Sequence, residues 1–128
     1  MDALQCSGRT LAFLGDAVWS LKVRSWLIET GQGNGDRLQR KSIAFVSAKA
    51  QSHFYETLHN RGFFNDEEES YYHRGRNSNA GSVPHNTPVA IYRQSTGFEA
   101  MIGALYITDA HERIEEIFQE TIRIQQEG

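Results

Sequence analysis

Two acidic residues stand where acids are costly. Asp16 lies in Leu11–Val18 (LAFLGDAV) and Glu99 in Phe98–Ala104 (FEAMIGA), each a carboxylate set among apolar residues. A charge in such surroundings needs a compensating cation or several hydrogen bonds. Each acid also has a glycine close by: Gly15 directly before Asp16, Gly103 one turn after Glu99. Glycine inside a helix costs about 1 kcal/mol relative to alanine, and it permits another backbone or a ligand to approach closely. Two such helices packed on each other would bring both acids to one divalent cation. Hard carboxylate oxygens suit Mg²⁺, which keeps its remaining positions for water and phosphate. Beside a phosphate backbone that arrangement serves phosphodiester hydrolysis, because the metal lowers the pKa of a bound water and neutralises charge on the leaving oxygen. The plainer alternative for Asp16 is a solvated acid at the edge of an apolar face.

Other chemistry is poorly supported. His53, His59, His73, His85 and His111 show no ligand spacing, so histidine–metal chemistry is not expected. Cys6 is the single cysteine, which excludes an intramolecular disulfide and a cysteine-rich zinc site and makes a reducing cytoplasm the default. The net charge is -3, from 13 Lys and Arg against 16 Asp and Glu, so the protein is not coated in positive charge. The charge is uneven, however. Ser70–Thr96 holds Arg74, Arg76, Arg93, His73 and His85 and no acid, whereas Asp109–Gly128 holds six acids against Arg113 and Arg123. A basic patch on an acidic body suits a polyanion gripped in one place.

The elements that must position Asp16 and Glu99 are helices. The 128 residues allow one domain. The expected fold is all-α, a single compact domain of about six helices. Leu11, Leu14, Val18 and Leu21 recur at one helical face and predict a first helix from about Gly8 to Glu29, with Phe13, Ala17 and Leu27 widening the stripe. Asp36 is the expected cap of a second helix to about Phe45, and Ser47 of a third over 48–60, which Gly62 ends. Asn65 and Glu68 have capping-box spacing for a fourth helix ending near Arg76. Asn77–Asn86 (NSNAGSVPHN) reads as a polar loop. Thr87 and Pro88 read as cap and first position of a fifth helix to about Ile107. Asp109 is the expected cap of a last helix with Ile114, Ile117, Phe118, Thr121 and Ile124 on its apolar face. The apolar run Ala100–Thr108 is too short for a membrane span, and an acid at position 2 with no basic segment argues against a secretory leader.

Leu11–Val18 and Phe98–Ala104, together with Val46–Gln51 (VSAKAQ), Arg74–Asn77 (RGRN), Val83–Asn86 (VPHN) and Tyr92–Glu99 (YRQSTGFE), resemble the ribonuclease III family, and within it the small mini-ribonuclease III subgroup. The motifs are short, but their order and spacing are specific and span about Leu11 to Ile124. The resemblance implies a ribonuclease III endonuclease-domain fold over 1–128 with no double-stranded-RNA-binding domain after it. It implies a homodimeric, cytoplasmic, Mg²⁺-dependent endonuclease on double-stranded RNA. Its products would carry 5′-phosphate and 3′-hydroxyl ends, and its role would be maturation of large-subunit ribosomal RNA precursor; a ribosomal protein is a candidate helper, and whether one is needed stays open. Asp16 matches the family's catalytic aspartate and Glu99 its catalytic glutamate. Ala12 stands where a glutamate is usual, and Thr96 where an aspartate is usual. Both departures match the mini subgroup and leave fewer direct carboxylate ligands.

A-form RNA is gripped by its backbone and 2′-hydroxyls. Arg74 and Arg76, with Asn77 and the loop that contains His85, are the leading phosphate contacts, because an arginine fork holds phosphate bidentately. Lys49 is a weaker candidate. Arg93 is open between RNA contact and pairing with a carboxylate near the site. Tyr71 and Tyr72 read as packing, and Trp19 and Trp26 as core or dimer interface. Two competing readings stand beside the nuclease: a non-catalytic duplex-RNA scaffold in ribosome assembly, and a helical interaction module with no RNA role.

Overall fold

The computed structural model describes residues 2–78 and 82–128. A short 3-10 turn, Ala3–Gln5, precedes six helices: α1 Gly8–Glu29, α2 Gly35–Val46, α3 Ala48–Asn60, α4 Asp66–Arg76, α5 Val89–Ile107 and α6 His111–Glu127. No strand occurs among the described residues, and the all-α expectation holds.

Local chemistry sets most helix ends. The Ser7 and Ser47 hydroxyls accept from the amides of Thr10 and Ala50. Asn65 and Glu68 form both hydrogen bonds of a capping box. Gly31 and Gly62, with φ of 65° and 67°, end α1 and α3 in the left-handed conformation.

Three starts differ from the sequence reading. Asn34 precedes α2, so Asp36 lies inside its first turn, where its charge favours the helix dipole. Pro88 rather than Thr87 precedes α5: the Tyr92 amide donates to the Pro88 carbonyl, and no side chain caps this end. Asp109 does not cap α6. It takes φ 58° and closes α5, with its own amide on the Tyr106 carbonyl and that of Ala110 on Leu105.

Helix α5 is the centre, with Phe98 and Ala100–Leu105 buried, and α1, α3 and α4 pack around it. On α1 the buried face is Gly8, Leu11, Ala12, Gly15, Trp19, Val23 and Leu27. This corrects the expected stripe. Of the widened stripe only Leu11 and Leu27 are buried; Leu14 and Val18 are half-buried and Leu21 is 69% exposed. The apolar sequence of α1 draws two overlapping stripes, and the one that carries the glycines is the one that can lie against another backbone. The other stripe is left open, with Phe13 84% and Ile28 68% exposed.

Trp19 is core: its indole N–H donates to the Phe45 carbonyl at 3.0 Å, and its ring meets Phe98 and Phe118 edge-on. The apolar face expected for α6 is buried as patterned. Tyr71 and Tyr72 are buried, with Tyr72 stacked on Tyr55. Buried Glu68 ties α4 to α6 through a two-pronged bond from Arg113 at 2.7 and 2.9 Å. Among the described residues no helix is long and apolar enough to cross a membrane.

Candidate active site

The site is made by a backbone-on-backbone crossing. A Cβ at Gly15 would lie 1.7 Å from the Glu99 carbonyl oxygen, and one at Gly103 would lie 2.0 Å from that of Leu11. No other residue type fits either position without moving a helix. The crossing puts α1 directly on the residue that carries the second acid, and Asp16 is the next residue along α1. The two helices open into a cleft lined by Arg9, Ala12, Phe13 and Asp16 from α1 and by Tyr92, Thr96 and Glu99 from α5.

The carboxyls occupy unlike surroundings. Asp16 is exposed, whereas Glu99 is half-buried. Burial, followed by the hydrogen bond and negative charge of Asp16 alongside, pushes the Glu99 carboxyl up to about 9. Gln51 acts in the opposite sense. It is only 1% exposed, and its Nε2 donates to Glu99 Oε2 at 3.4 Å. Burial and the neighbouring Asp16 both favour a proton on Glu99. The hard oxygens of the two carboxyls and the open side at Asp16 suit a divalent ion that keeps waters. Among the described residues no group of three or more His, Cys, Asp or Glu is placed to hold a metal.

Ala12 and Thr96, the two departures from the fuller family pattern, line this same cleft. The Thr96 hydroxyl donates to the Tyr92 carbonyl at 3.0 Å within its own helix.

The phosphate-contact candidates lie elsewhere, and none lines the cleft. Arg74 is committed to structure. Its Nη1 donates to the carbonyls of Ala3, Cys6 and Leu4 at 3.0, 3.3 and 3.4 Å, and its guanidinium covers the Tyr71 ring. That binds the N-terminal segment to α4 and departs from a solvent-facing phosphate grip. Arg76 is exposed at the end of α4 and donates to the Asn77 side chain. Lys49, in the first turn of α3, is exposed, as are His85 and Arg93. Residues 79–81 of the Asn77–Asn86 loop lie outside the described residues.

Sequence reasoning missed Arg9 and Gln51. A signal existed for Arg9, which precedes Asp16 by two helical turns and so shares its face. Gln51 ends the Val46–Gln51 motif, but its partner Glu99, 48 residues along the chain, could not be read from that stretch. The cations in and around the acidic C-terminal region are already paired: Lys22 with Glu115, Arg61 with Glu127, Arg113 with Glu68 and Arg123 with Glu120. Arg9, Arg24, Arg37, Arg40, Lys49, Arg76 and Arg93 have no carboxylate partner among the described residues.

Comparison with known proteins agrees with this geometry. The ribonuclease III domain model matches residues 9–110. Mini-ribonuclease 3 of Enterococcus faecalis is 36% identical over 95% of this chain and 92% of its own length. That of Streptococcus pneumoniae is 38% identical over 91% of each, and that of Brevibacillus brevis is 42% identical over 89% and 84%. A crystal structure of a Fusobacterium nucleatum protein superposes with a TM-score of 0.86 at 32% identity, covering 98% of this chain and 99% of that one. The chain belongs to the ribonuclease III domain family, within its mini-ribonuclease 3 branch.

Proposed function

We propose that Asp16 and Glu99 are the catalytic pair of this endoribonuclease, that its ion is Mg²⁺, and that its double-stranded substrate is a precursor of large-subunit ribosomal RNA. The observation that carries the reading is the meeting of the two carboxyls across the Gly15–Gly103 crossing. Asp16 and Glu99 would hold the ion. When bound, a divalent cation supplies a water of lowered pKa and neutralises charge on the phosphate.

The chain's own groups do the rest. Glu99 would have to give up its proton for both carboxyls to serve as ligands. Gln51 holds the Glu99 carboxyl in place by its amide. The rigid α1–α5 crossing keeps the two acids in register, so that little reorganisation is left for the reaction. Ala12 and Thr96 leave two carboxylates in the cleft lining, so a bound ion would be left with positions for water and phosphate oxygens. Hydrolysis in this way leaves a 5′-phosphate and a 3′-hydroxyl.

A duplex has two strands, and the family typically forms homodimers. The open apolar stripe of α1, from Phe13 through Leu21 to Ile28, is the surface we assign to the second copy. Phe13 lies on both that stripe and the cleft, so the interface adjoins the site. Arg76, Asn77, Lys49 and His85 are exposed and stand as the proposed duplex contacts beyond the cleft.

The test is incubation of the protein with a long RNA duplex, with and without Mg²⁺, followed by end-group analysis of the products. Cleavage should need the metal, and Asp16→Asn should abolish it while leaving duplex binding. Equal cleavage by both proteins overturns the catalytic assignment. Binding without cleavage by the unaltered protein favours a scaffold.

A further inference from the structure

We propose that Arg9 is the phosphate grip of the catalytic cleft, holding a backbone phosphate that flanks the scissile one. The inference rests on the nuclease reading above and adds to it the residue that fixes where along the strand the acids act.

Four observations carry it. First, Arg9 is the one cation among the residues that line the cleft, on the same wall as Asp16. Secondly, the two are seven residues apart on one helix, two turns along the same face, or about 10 Å along its axis. A long side chain there reaches a neighbouring phosphate of the strand whose scissile phosphate lies at the acids.

Thirdly, Arg9 is exposed and has no carboxylate partner among the described residues, whereas the cations beside the acidic C-terminal region are paired. Fourthly, its position is unfavourable for the fold. Arg9 lies in the first turn of α1, where the helix dipole disfavours a cation, and that turn holds no acid to offset it. A group that costs the helix and has no hydrogen bond or ion pair among the described residues is suited to a ligand that brings negative charge.

An arginine at this place also solves an electrostatic problem. Two carboxyls alone repel a polyanion, and a bound cation offsets them only at the scissile phosphate. The next phosphate needs its own positive charge, and a guanidinium offers a two-pronged bond to it.

The test measures duplex RNA binding as a function of salt in the Asp16→Asn background, so that the strand stays intact, and cleavage kinetics in the otherwise unaltered protein. Arg9→Ala should weaken binding about tenfold, reduce the salt slope by about one, and place its loss on KM more than on kcat. Arg9→Lys, which keeps the charge, should retain the slope and recover part of the affinity. Arg123→Ala removes one charge that pairs with Glu120 and lies outside the cleft lining, and should leave the slope alone.

Unaltered affinity and slope in Arg9→Ala overturn the inference. So does a loss confined to kcat, which would place Arg9 at the chemical step. An equal change in Arg123→Ala overturns it too, by making the effect one of net charge. Cleavage by Asp16→Asn, in contrast, fails the nuclease assignment whatever Arg9 does. Absence of duplex binding by the unaltered protein removes both.

Discussion

Gly15 touches the backbone of Glu99 so closely that one added methyl group would sit 1.7 Å from its carbonyl oxygen. This contact is where fold and function coincide, because the residue after Gly15 is the first acid and the residue it touches is the second. Gly15→Ala should therefore push α1 off α5. Steric overpacking of this kind costs about 3 kcal/mol or more, which outweighs the gain of about 1 kcal/mol from better helix propensity. Denaturant unfolding should record that loss, and cleavage should fall at temperatures where the variant is still folded, because the acids have separated.

The metal-free protein should be less stable at high pH. The Glu99 carboxyl, ordinarily near 4.5, is raised to about 9 in the fold, chiefly by burial and then by Asp16. The folded state therefore binds more protons than the unfolded chain between those values. The contribution is fully present below about 4.5 and is lost as pH climbs towards 9. Melting temperature measured from pH 5 to 9 without metal should fall from this group. Asp16→Asn should flatten the fall by removing the neighbouring charge. Mg²⁺ should bind more tightly as pH rises, since it competes with the Glu99 proton. A melting temperature that is level across this range, with and without Mg²⁺, contradicts the arrangement.

Gln51 is a positioning residue for Glu99, and Gln51→Leu removes its amide while nearly keeping its volume. The Glu99 carboxyl should then rise further, and Mg²⁺ affinity should fall about tenfold, as for loss of other partners that orient metal ligands. The readout is the Mg²⁺ concentration that raises the melting temperature halfway. Gln51→Asn, which keeps the amide on a shorter arm, should lie between the two. If Gln51→Leu binds Mg²⁺ like the unaltered protein, the amide has no such role.

Arg74 and Arg76 should separate. Arg74 bonds three carbonyls of the N-terminal segment, so Arg74→Ala should cost about 2 kcal/mol of stability and leave the salt dependence of duplex binding in place. Arg76→Ala should do the reverse, with near-native stability and a salt slope lower by about one. A flattened slope in Arg74→Ala would show that its guanidinium leaves those carbonyls for RNA.

The open face of α1 predicts the assembly. Leu21→Glu places a charge in the middle of the stripe, at a side chain that is 69% exposed in one copy. Sedimentation should show the change from dimer to monomer with helical content preserved. A variant that sediments like the unaltered protein removes this face as the interface.

Much of this molecule was legible in the residues themselves. The bounds of α1 and α3, the capping box of α4, the apolar face of α6 and the peculiarity of two acids beside two glycines all follow from chemistry within a few residues of chain. Hydroxyl caps, amide partners and the 3.6-residue period act over that range, so their signals survive without the fold. The misjudged starts of α2, α5 and α6 are cases in which two neighbouring residues can serve and a turn elsewhere chooses between them. Asp109, spent on closing α5, is the clearest. Tertiary structure alone decided which of two apolar stripes on α1 is buried, because Gly15 is useful only when α5 lies against it. It alone brought Gln51 to Glu99, placed Arg9 in the cleft and turned Arg74 inward to three carbonyls. Those are meetings between distant parts of the chain, and a residue's type states what it can bond but not which partner the packed helices will present.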